Sequence, residues 1–289
     1  MSDRPGPGEI PAPRTLLSAH GLAPKKAWGQ NFLQDRQVLD RIVSLCHPRE
    51  GMKVVELGAG LGHLTARLRG RGVEVVAVER DRDLVAILEK LFEGDAGTRI
   101  VAADAKTVRL EELCPGVERR DLQVVGNLPY NISTPILFHL LEQQERIGAL
   151  VVMVQREVAE RLGAEPGSKD YGILSIRFGL HFHVEQAFDV APHAFLPQPK
   201  VVSSVVRLEA RQRPLAEVGD EAAFARVVKG AFAQRRKTIL NSLRSAKLLP
   251  PDALREALAE AGIEPGARAE TVSIEGFAAL TAAVSSRAP

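Results

Sequence analysis

From Lys53 onward, the chain alternates short β-branched runs with stretches of helical periodicity. The strand-like runs are KVVEL, EVVAVE, TRIVAA, DLQVVGN and IGALVVMVQ, and helical patterns separate most of them. Alternation of this kind is typical of parallel strands joined by right-handed crossovers. The pattern predicts an α/β fold with a doubly wound sheet, in which ligands bind at the carboxyl ends of the strands.

The period of the pattern changes near residue 210. Two further strand-like runs, ILSIRFGLHFHV and VVSSVVRLEA, precede this point, and Pro- and Gly-separated helical patterns follow it from about Glu217. A chain of 289 residues also exceeds the usual size of one domain. We therefore predict a disordered, Pro/Gly-rich leader over residues 1–24, an α/β domain over 25–209 and a helical domain over 210–289.

The composition is that of a cytoplasmic protein. Cys46 and Cys114 form no close pair and match no zinc or redox spacing, so we expect reduced thiols and no metal. The N-terminus lacks the apolar core of a signal peptide, and no apolar run approaches the roughly 20 residues that span a bilayer. Nothing suggests an obligate interface. We expect a cytoplasmic monomer without membrane contact or an obligate protein partner.

The first strand runs into a glycine-rich turn at Gly58, Gly60 and Gly62. Glycines between a strand and a helix let a ligand approach the backbone, next to the positive end of the helix. The dinucleotide fingerprint would need a third glycine at position 63, where this chain has histidine. A smaller nucleoside ligand such as S-adenosylmethionine is therefore favoured, with a plain tight turn as the alternative.

The next two strands end in acids. Glu79 lies 21 residues after Gly58, a spacing that suits a carboxylate accepting hydrogen bonds from both ribose hydroxyls. The alternative is that Glu79 only belongs to the solvated start of the next helix. Asp104 could accept from the exocyclic amine of an adenine ring or could cap the next helix, and both interpretations stay open. The fourth strand ends at Asn127, so four strand ends share one predicted rim.

Asn127 begins the tetrapeptide NLPY, which fits chemistry on an aromatic exocyclic amine. Such an amine is a weakly basic nucleophile that needs acceptors for its protons more than a base. The Asn127 side-chain oxygen and the Leu128 carbonyl supply two acceptors. The Pro129 ring stiffens the turn, and Tyr130 can stack on the base, which must first be flipped out of any helix. A simple strand stop is the alternative.

Seven stretches between residues 25 and 275 carry a family pattern: GQNFLQD at 29–35, VVELGAGLGHLT at 54–65, VERD at 78–81, DA at 104–105, GNLPYNISTPIL at 126–137, AFLPQPKVVSSVVRL at 194–208 and AFAQRRKTILNSL at 231–243. With them the chain resembles the ribosomal RNA adenine dimethyltransferases, most closely the small-subunit (16S) family. The resemblance implies a Rossmann-like S-adenosylmethionine-dependent methyltransferase domain with a small all-helical C-terminal domain. It also implies dimethylation of two adjacent adenosines near the 3′ end of 16S rRNA on the immature small ribosomal subunit.

The resemblance further implies roles for individual residues. Phe195, in AFLPQP, would face Tyr130 across the target base, whereas the residues alone favour core packing for Phe195. The implied cofactor contacts are Asn31, Leu33, Gly58, Gly60, Glu79, Asp104 and Asn127.

A basic segment is the predicted RNA contact. Residues 226–247 contain seven Lys or Arg and no acid, which suits phosphate binding, although a solvated helix face is the alternative. The candidate contacts are Arg235, Arg236, Lys237 and Arg244.

Two other functions stay open from the sequence. The protein could methylate DNA adenine or a small molecule, but such enzymes often show an acid or a second proline in the tetrapeptide. It could instead be an RNA-binding assembly factor without turnover, against which the intact rim of strand ends argues.

Overall fold

The computed structural model describes residues 10–118, 121–234 and 236–287. The chain divides into two compact units. The first contains the residues up to Ala159 together with Glu185–Ala210, and the second contains Glu160–Val184 together with the residues from Arg211 onward. The first unit ends at Ala210. Residues 160–184, expected in the α/β domain, belong instead to the unit of the C-terminal helices.

Within the described residues, a seven-stranded sheet forms the centre of the first unit, beside a two-stranded ladder. The strands in chain order are β1 (Phe32–Leu33), β2 (Lys53–Leu57), β3 (Glu74–Glu79), β4 (Thr98–Ala102), β5 (Leu122–Asn127), β6 (Ile147–Gln155), β7 (Phe182–Val190), β8 (Phe195–Leu196) and β9 (Ser203–Ala210). The large sheet has the order β4-β3-β2-β5-β6-β9-β7, and β1 pairs with β8.

The sheet is parallel from β4 to β6, as the alternating pattern predicts. Strand β9 runs antiparallel to β6. The strand order reverses between β2 and β5, which are neighbours, so the loops that follow them diverge and leave a crevice. The α/β prediction is confirmed, and the crevice lies where the glycine turn and Asn127 end their strands.

Some of the helices begin where the sequence provides a side-chain cap. Asp35 accepts from Gln37 N and Val38 N, and Asp81 accepts from Asp83 N, which satisfies backbone donors at the helix starts. The helices in chain order are α1 (Pro13–Ala19), α2 (Arg36–Leu45), α3 (His63–Arg69), α4 (Arg82–Leu91), α5 (Leu110–Leu113), α6 (Ser133–Leu141), α7 (Arg156–Leu162), α8 (Ile173–His181), α9 (Glu221–Ala231), α10 (Ile239–Ser245), α11 (Pro251–Glu260) and α12 (Ile274–Ser285).

Helix α1 falls inside the predicted disordered leader. Leu16 and Leu17 are buried in a cluster with Phe32 and Leu61, so apolar burial orders this part of the chain. The predicted disorder is therefore wrong for the stretch that forms α1. Residues 1–9 lie outside the described part of the chain.

Helix α8 corrects a second prediction. The run ILSIRFGLHFHV was expected to be a strand, but its first nine residues are helical and only its end enters β7. Ile176 and Leu180, four positions apart, are buried in the apolar core of the second unit. The Ser175 hydroxyl donates to the Arg161 carbonyl and accepts from Gly172 N. Packing and capping thus override the β propensity of the sequence.

The second unit is built around its own apolar core. Phe224, Leu243, Leu254 and Phe277 contribute to it from α9, α10, α11 and α12. The predicted all-helical C-terminal region is confirmed.

Nothing in the described ranges offers a helix of the length and apolarity needed to cross a bilayer. The same residues contain no cluster of His, Cys, Asp or Glu suited to a metal ion. Cys46 and Cys114 are free and buried.

Candidate functional site

A cavity of about 260 Å³ lies in the first unit at the carboxyl ends of the central strands. Its lining brings together the four predicted strand ends and the segment before β1. The lining includes Ala27–Leu33, Leu57–Leu61, Val78–Arg80, Ala103–Ala105 and Asn127–Ile132. Every predicted cofactor residue therefore lies on one cavity, including Asn31 and Leu33.

The glycine turn after β2 is fastened to the end of β3. Gly58 N and Ala59 N both donate to the Val78 carbonyl, at 2.9 and 3.1 Å. Gly58 and Gly60 have φ angles of 72° and 58°, in the left-handed region that favours glycine. A Cβ atom on Gly60 would lie 3.3 Å from Phe32 Cδ1. The turn thus presents bare backbone to the cavity, as a closely approaching ligand requires.

Glu79 holds the other side of this turn. Its Oε2 accepts from Gly60 N at 2.9 Å, and its Oε1 accepts from Arg80 N and Asp81 N at 2.8 and 2.9 Å. The side chain is buried, and burial raises the pKa of its carboxyl while these N–H donors oppose the rise. Among the described residues, these bonds fill three of the roughly four acceptor positions of a carboxylate. Glu79 therefore retains room for about one ligand hydroxyl, fewer than the two that its spacing suggests.

Asp104 lines the cavity and does not cap the next helix, whose N-cap residue is Arg109. Its Oδ1 accepts from Lys106 N at 3.0 Å, which is a local turn bond. Its Oδ2 lies 3.4 Å from an Arg80 guanidinium nitrogen, and the residue lines the cavity. The carboxylate thus shapes the loop after β4 while facing the space where a ligand would lie.

Trp28 and Arg80 are lining residues that the sequence reasoning missed. The Arg80 guanidinium carbon lies 4.3 Å from the centroid of the Trp28 ring, a cation–π contact. Since Arg80 also reaches Asp104, the pair connects the segment before β1 with the loop after β4. The available signal was that Trp28 is the only tryptophan of the chain and directly precedes GQNFLQD.

The segment before β1 is tied to the start of α4. Lys25 Nζ lies 2.6 Å from Asp81 Oδ1 and 2.7 Å from Asp83 Oδ2. Gln30 Nε2 donates to Asp81 Oδ2 at 2.7 Å. Asp81 is almost fully buried, so this pairing satisfies a charge that would otherwise be costly. The bonds hold the segment against the cavity.

The tetrapeptide after β5 is anchored at each end. Asn127 Nδ2 donates to the Asn31 carbonyl at 2.9 Å, which turns its Oδ1 away from that carbonyl. Leu128 N donates to the Met153 carbonyl at 3.1 Å. The Tyr130 hydroxyl is hydrogen-bonded to Ser203 Oγ at 2.5 Å, and burial raises the pKa of the Tyr130 phenol. The turn is both a strand stop and part of the cavity wall.

Phe195 does not join the cavity. Its side chain is 1% exposed and packs with Leu33, Val190 and Val205 in the core of the first unit. A ring that stacks on a base must expose one face. The expectation that Phe195 faces Tyr130 across a base is therefore not met, and the core-packing alternative describes the residue.

Glu56 is a buried acid on the cavity that the sequence reasoning did not single out. It is 2% exposed on β2, and Thr65 Oγ1 donates to its Oε2 at 2.5 Å. Burial raises the pKa of this carboxyl to about 8, with the Thr65 bond opposing the rise. The wall next to the glycine turn thus holds an acid that is largely neutral at pH 7.

The predicted RNA contacts lie on the second unit. Arg236 and Lys237 are exposed between α9 and α10, and Arg244 is exposed on α10. Arg235 lies outside the described residues. The side chains that can be located are therefore accessible to a phosphate backbone.

The family model of the ribosomal RNA adenine dimethylases matches residues 21–285. The Myxococcus xanthus protein named Ribosomal RNA small subunit methyltransferase A is 46% identical over 96% of this chain and 97% of its own length. A protein of the same name from Anaeromyxobacter sp. strain K is 49% identical over 93% of this chain and 96% of its own.

Solved structures show the same likeness. The 23S rRNA methyltransferase ErmE is 30% identical, with a TM-score of 0.65 over 88% of this chain and all of its own. A dimethyladenosine transferase from Plasmodium falciparum has a TM-score of 0.72 over 86% of this chain and 95% of its own, and at 23% identity it supports the fold alone.

Proposed function

The chain belongs to the ribosomal RNA adenine dimethylase family, and we propose that its cavity at the strand ends is where it dimethylates adenosines of 16S rRNA. The protein is an S-adenosylmethionine-dependent rRNA (adenine-N6,N6)-dimethyltransferase. Its targets are two adjacent adenosines near the 3′ end of 16S rRNA, and its product is N6,N6-dimethyladenosine, made during small-subunit biogenesis. The observation that supports this assignment is that four strand ends line the same cavity.

The residues of the cavity fit S-adenosylmethionine. Gly58 and Gly60 line the cavity without side chains, and Glu79 retains an acceptor position for a ribose hydroxyl. Asp104 offers a carboxylate for the adenine amine, and Asn31 and Leu33 line the same space. When bound, S-adenosylmethionine supplies a methyl group made electrophilic by its sulfonium.

Asn127 would act on the amine of the target base. Its Nδ2 is held by the Asn31 carbonyl, so its Oδ1 is preoriented to accept from an amino proton. This acceptance strengthens as the amine nitrogen becomes pyramidal and gains positive charge, which stabilises the transition state more than the ground state. The amine then loses a proton to solvent. An amide suffices here, because the nucleophile needs orientation rather than deprotonation.

Two features of the turn support recognition of a flipped-out base. The Tyr130 ring lines the cavity and can stack on the base. Leu128 carries the second predicted acceptor in its carbonyl, and Pro129 restricts the turn that aims it.

The basic surface of the second unit would bind the RNA backbone. Arg236, Lys237 and Arg244 are exposed, and residues 226–247 carry no acid, so phosphates meet no opposing charge along that stretch. We assign Arg235 the same role from its place in the sequence. In this proposal the protein acts as a monomer in the cytoplasm on immature small subunits.

The experiment that tests the proposal is mass spectrometry of 16S rRNA after incubation of undermethylated small subunits with the protein and labelled S-adenosylmethionine. We expect label in dimethyladenosine at two neighbouring positions. Labelling of free duplex DNA in preference to subunits would favour the DNA-methyltransferase alternative. Binding of subunits with no label transferred would favour an assembly factor.

A further inference from the structure

The Tyr130 side chain is anchored at its far end by a residue outside the tetrapeptide. Its hydroxyl lies 2.5 Å from Ser203 Oγ, across 73 positions of the chain. Both residues belong to the first unit. The contact joins the turn after β5 to the beginning of β9.

Ser203 stands on a rigid part of the sheet. It opens β9, where it pairs with Gln155 at the end of β6, and it is fully buried. The adjoining backbone is held as well, since Arg156 N donates to the Val202 carbonyl at 3.1 Å. A hydroxyl on this scaffold therefore gives the Tyr130 phenol a fixed partner.

The backbone of the turn alone does not orient the ring. Ile132 N donates to the Pro129 carbonyl and Ser133 Oγ to the Tyr130 carbonyl, and both bonds act on the main chain rather than on the Tyr130 side chain. A ring ordered before binding loses less entropy when a base stacks on it. The bond to Ser203 provides that order.

We propose that Ser203 is a positioning residue for methyl transfer, whose hydroxyl holds the Tyr130 ring in the orientation that stacks on the target adenine. The inference rests on the proposed function, because that function has the flipped-out target base stack on Tyr130. It also accounts for a tyrosine at this position, since phenylalanine would offer the same ring without the anchor.

Ser204 provides a matched control. It follows Ser203 on β9 and is equally buried, but alternate strand residues point to opposite faces of a sheet. Its Oγ donates to Asp189 Oδ1 at 2.6 Å rather than to the phenol of Tyr130. Ser204→Ala thus removes a buried serine hydroxyl and its hydrogen bonds with Asp189 and Gln186 without touching the tetrapeptide.

The test compares Ser203→Ala, Tyr130→Phe, the double variant and Ser204→Ala. We expect each of the first two to lower kcat/KM for small subunits by about threefold to tenfold, the loss of one hydrogen bond. The double variant should lose no more than either single one, because both remove the same bond. Affinity for S-adenosylmethionine should stay unchanged in all four, and Ser204→Ala should keep the wild-type kcat/KM.

A second readout does not depend on turnover. The chain has only two tyrosines, so protein labelled with 13C at tyrosine Cζ gives two resonances, which Tyr130→Phe assigns. Ser203→Ala should shift the Tyr130 resonance and leave that of Tyr171 in place. If Ser203→Ala does not fold, Tyr130→Phe removes the bond from the other side.

The outcomes separate the two proposals. Additive losses in the double variant, or a Tyr130 resonance that Ser203→Ala does not move, would overturn the positioning role while wild-type activity stands. A wild-type protein that methylates no subunit would overturn the proposed function itself, whatever the resonances show.

Discussion

The side-chain nitrogen of Asn127 donates to the backbone carbonyl of Asn31 over 2.9 Å, joining segments 96 positions apart. The bond fixes which atom of the amide is left for a substrate. It also couples the cofactor-side segment before β1 to the turn that would receive the base. The orientation of Asn127 therefore depends on the position of a backbone that borders the cofactor space.

Asn127→Ala should lower kcat by about 100-fold at saturating S-adenosylmethionine, the usual effect of removing one transition-state hydrogen bond. Single-turnover methylation of small subunits measures this. Gln37→Ala, which removes an exposed amide on α2 outside the cavity lining, should cost less than about threefold. An Asn127→Ala protein with near-wild-type turnover would contradict the acceptor role.

Glu79→Gln should weaken S-adenosylmethionine binding by at least about tenfold, because an amide nitrogen in place of one carboxylate oxygen would oppose the N–H donors that now fasten the glycine turn. Trp28 is the only tryptophan and lines the cavity, so its fluorescence reports binding directly. Glu89→Gln, at an exposed site on α4, is the control. Equal dissociation constants for the Glu79→Gln and wild-type proteins would refute the prediction.

Glu56 should make stability depend on pH. Its folded pKa of about 8 lies above the roughly 4.3 of an unfolded glutamate, so between these values the folded state holds a proton that the unfolded state has lost. The contribution of this residue to stability therefore falls as pH rises from about 4.5 to 8. Glu56→Gln removes this dependence.

Urea unfolding at several pH values tests this effect of Glu56. The stability of Glu56→Gln relative to wild type should rise by about 3 kcal/mol between pH 5 and pH 8. Glu74→Gln, at an exposed residue, should show no such trend. A constant difference between Glu56→Gln and wild type would mean that the carboxyl titrates normally.

Gly126→Ala should destabilise the first unit by about 3 kcal/mol. Its Cβ would lie 2.4 Å from the Leu57 carbonyl oxygen, so β2 and β5 would have to separate. Gly266→Ala makes the same change where no atom lies within 4 Å and should alter stability little. Chemical denaturation of both variants measures the difference, and equal midpoints would show that the sheet accommodates the methyl group.

Replacing Arg236, Lys237 and Arg244 together by Gln should weaken binding to small subunits and flatten its salt dependence. Each lost phosphate contact lowers the slope of log K against log salt by about 0.7–0.9, so the slope should fall by about two. Arg255→Gln, an exposed change on α11, is the control. An unchanged slope in the triple variant would indicate that this surface meets no phosphate.

The central strands could be predicted because buried parallel strands are continuous β-branched runs, and KVVEL and IGALVVMVQ become β2 and β6 at those bounds. Helix α8 could not be predicted. ILSIRFGLH is apolar on nearly every side, so its sequence lacks a distinct period, and its burial among helices decides its conformation.

The features of the site also divide into those that the sequence could predict and those that it could not. Glu79, Asp104 and Asn127 were predictable because strand ends of one parallel sheet meet at one edge. The contacts of Trp28 with Arg80 and of Tyr130 with Ser203 depend on tertiary proximity between distant segments, which spacing does not encode. Phe195 was misplaced because its stacking role came from the family resemblance, whereas the residues alone favoured the core position that it occupies.

The path of the chain through the two units limits how this protein can be divided or recombined. Strand β9, which covers the apolar edge of β6, is reached only after the chain has supplied residues 160–184 to the other unit. A protein truncated after Ala159 would expose β6 as an unpaired edge, which is a template for aggregation. A protein truncated after Ala210 would keep β9, but it would leave α8 without the C-terminal helices whose core it shares. Neither unit can therefore be transferred to another protein by a single cut or a single fusion point.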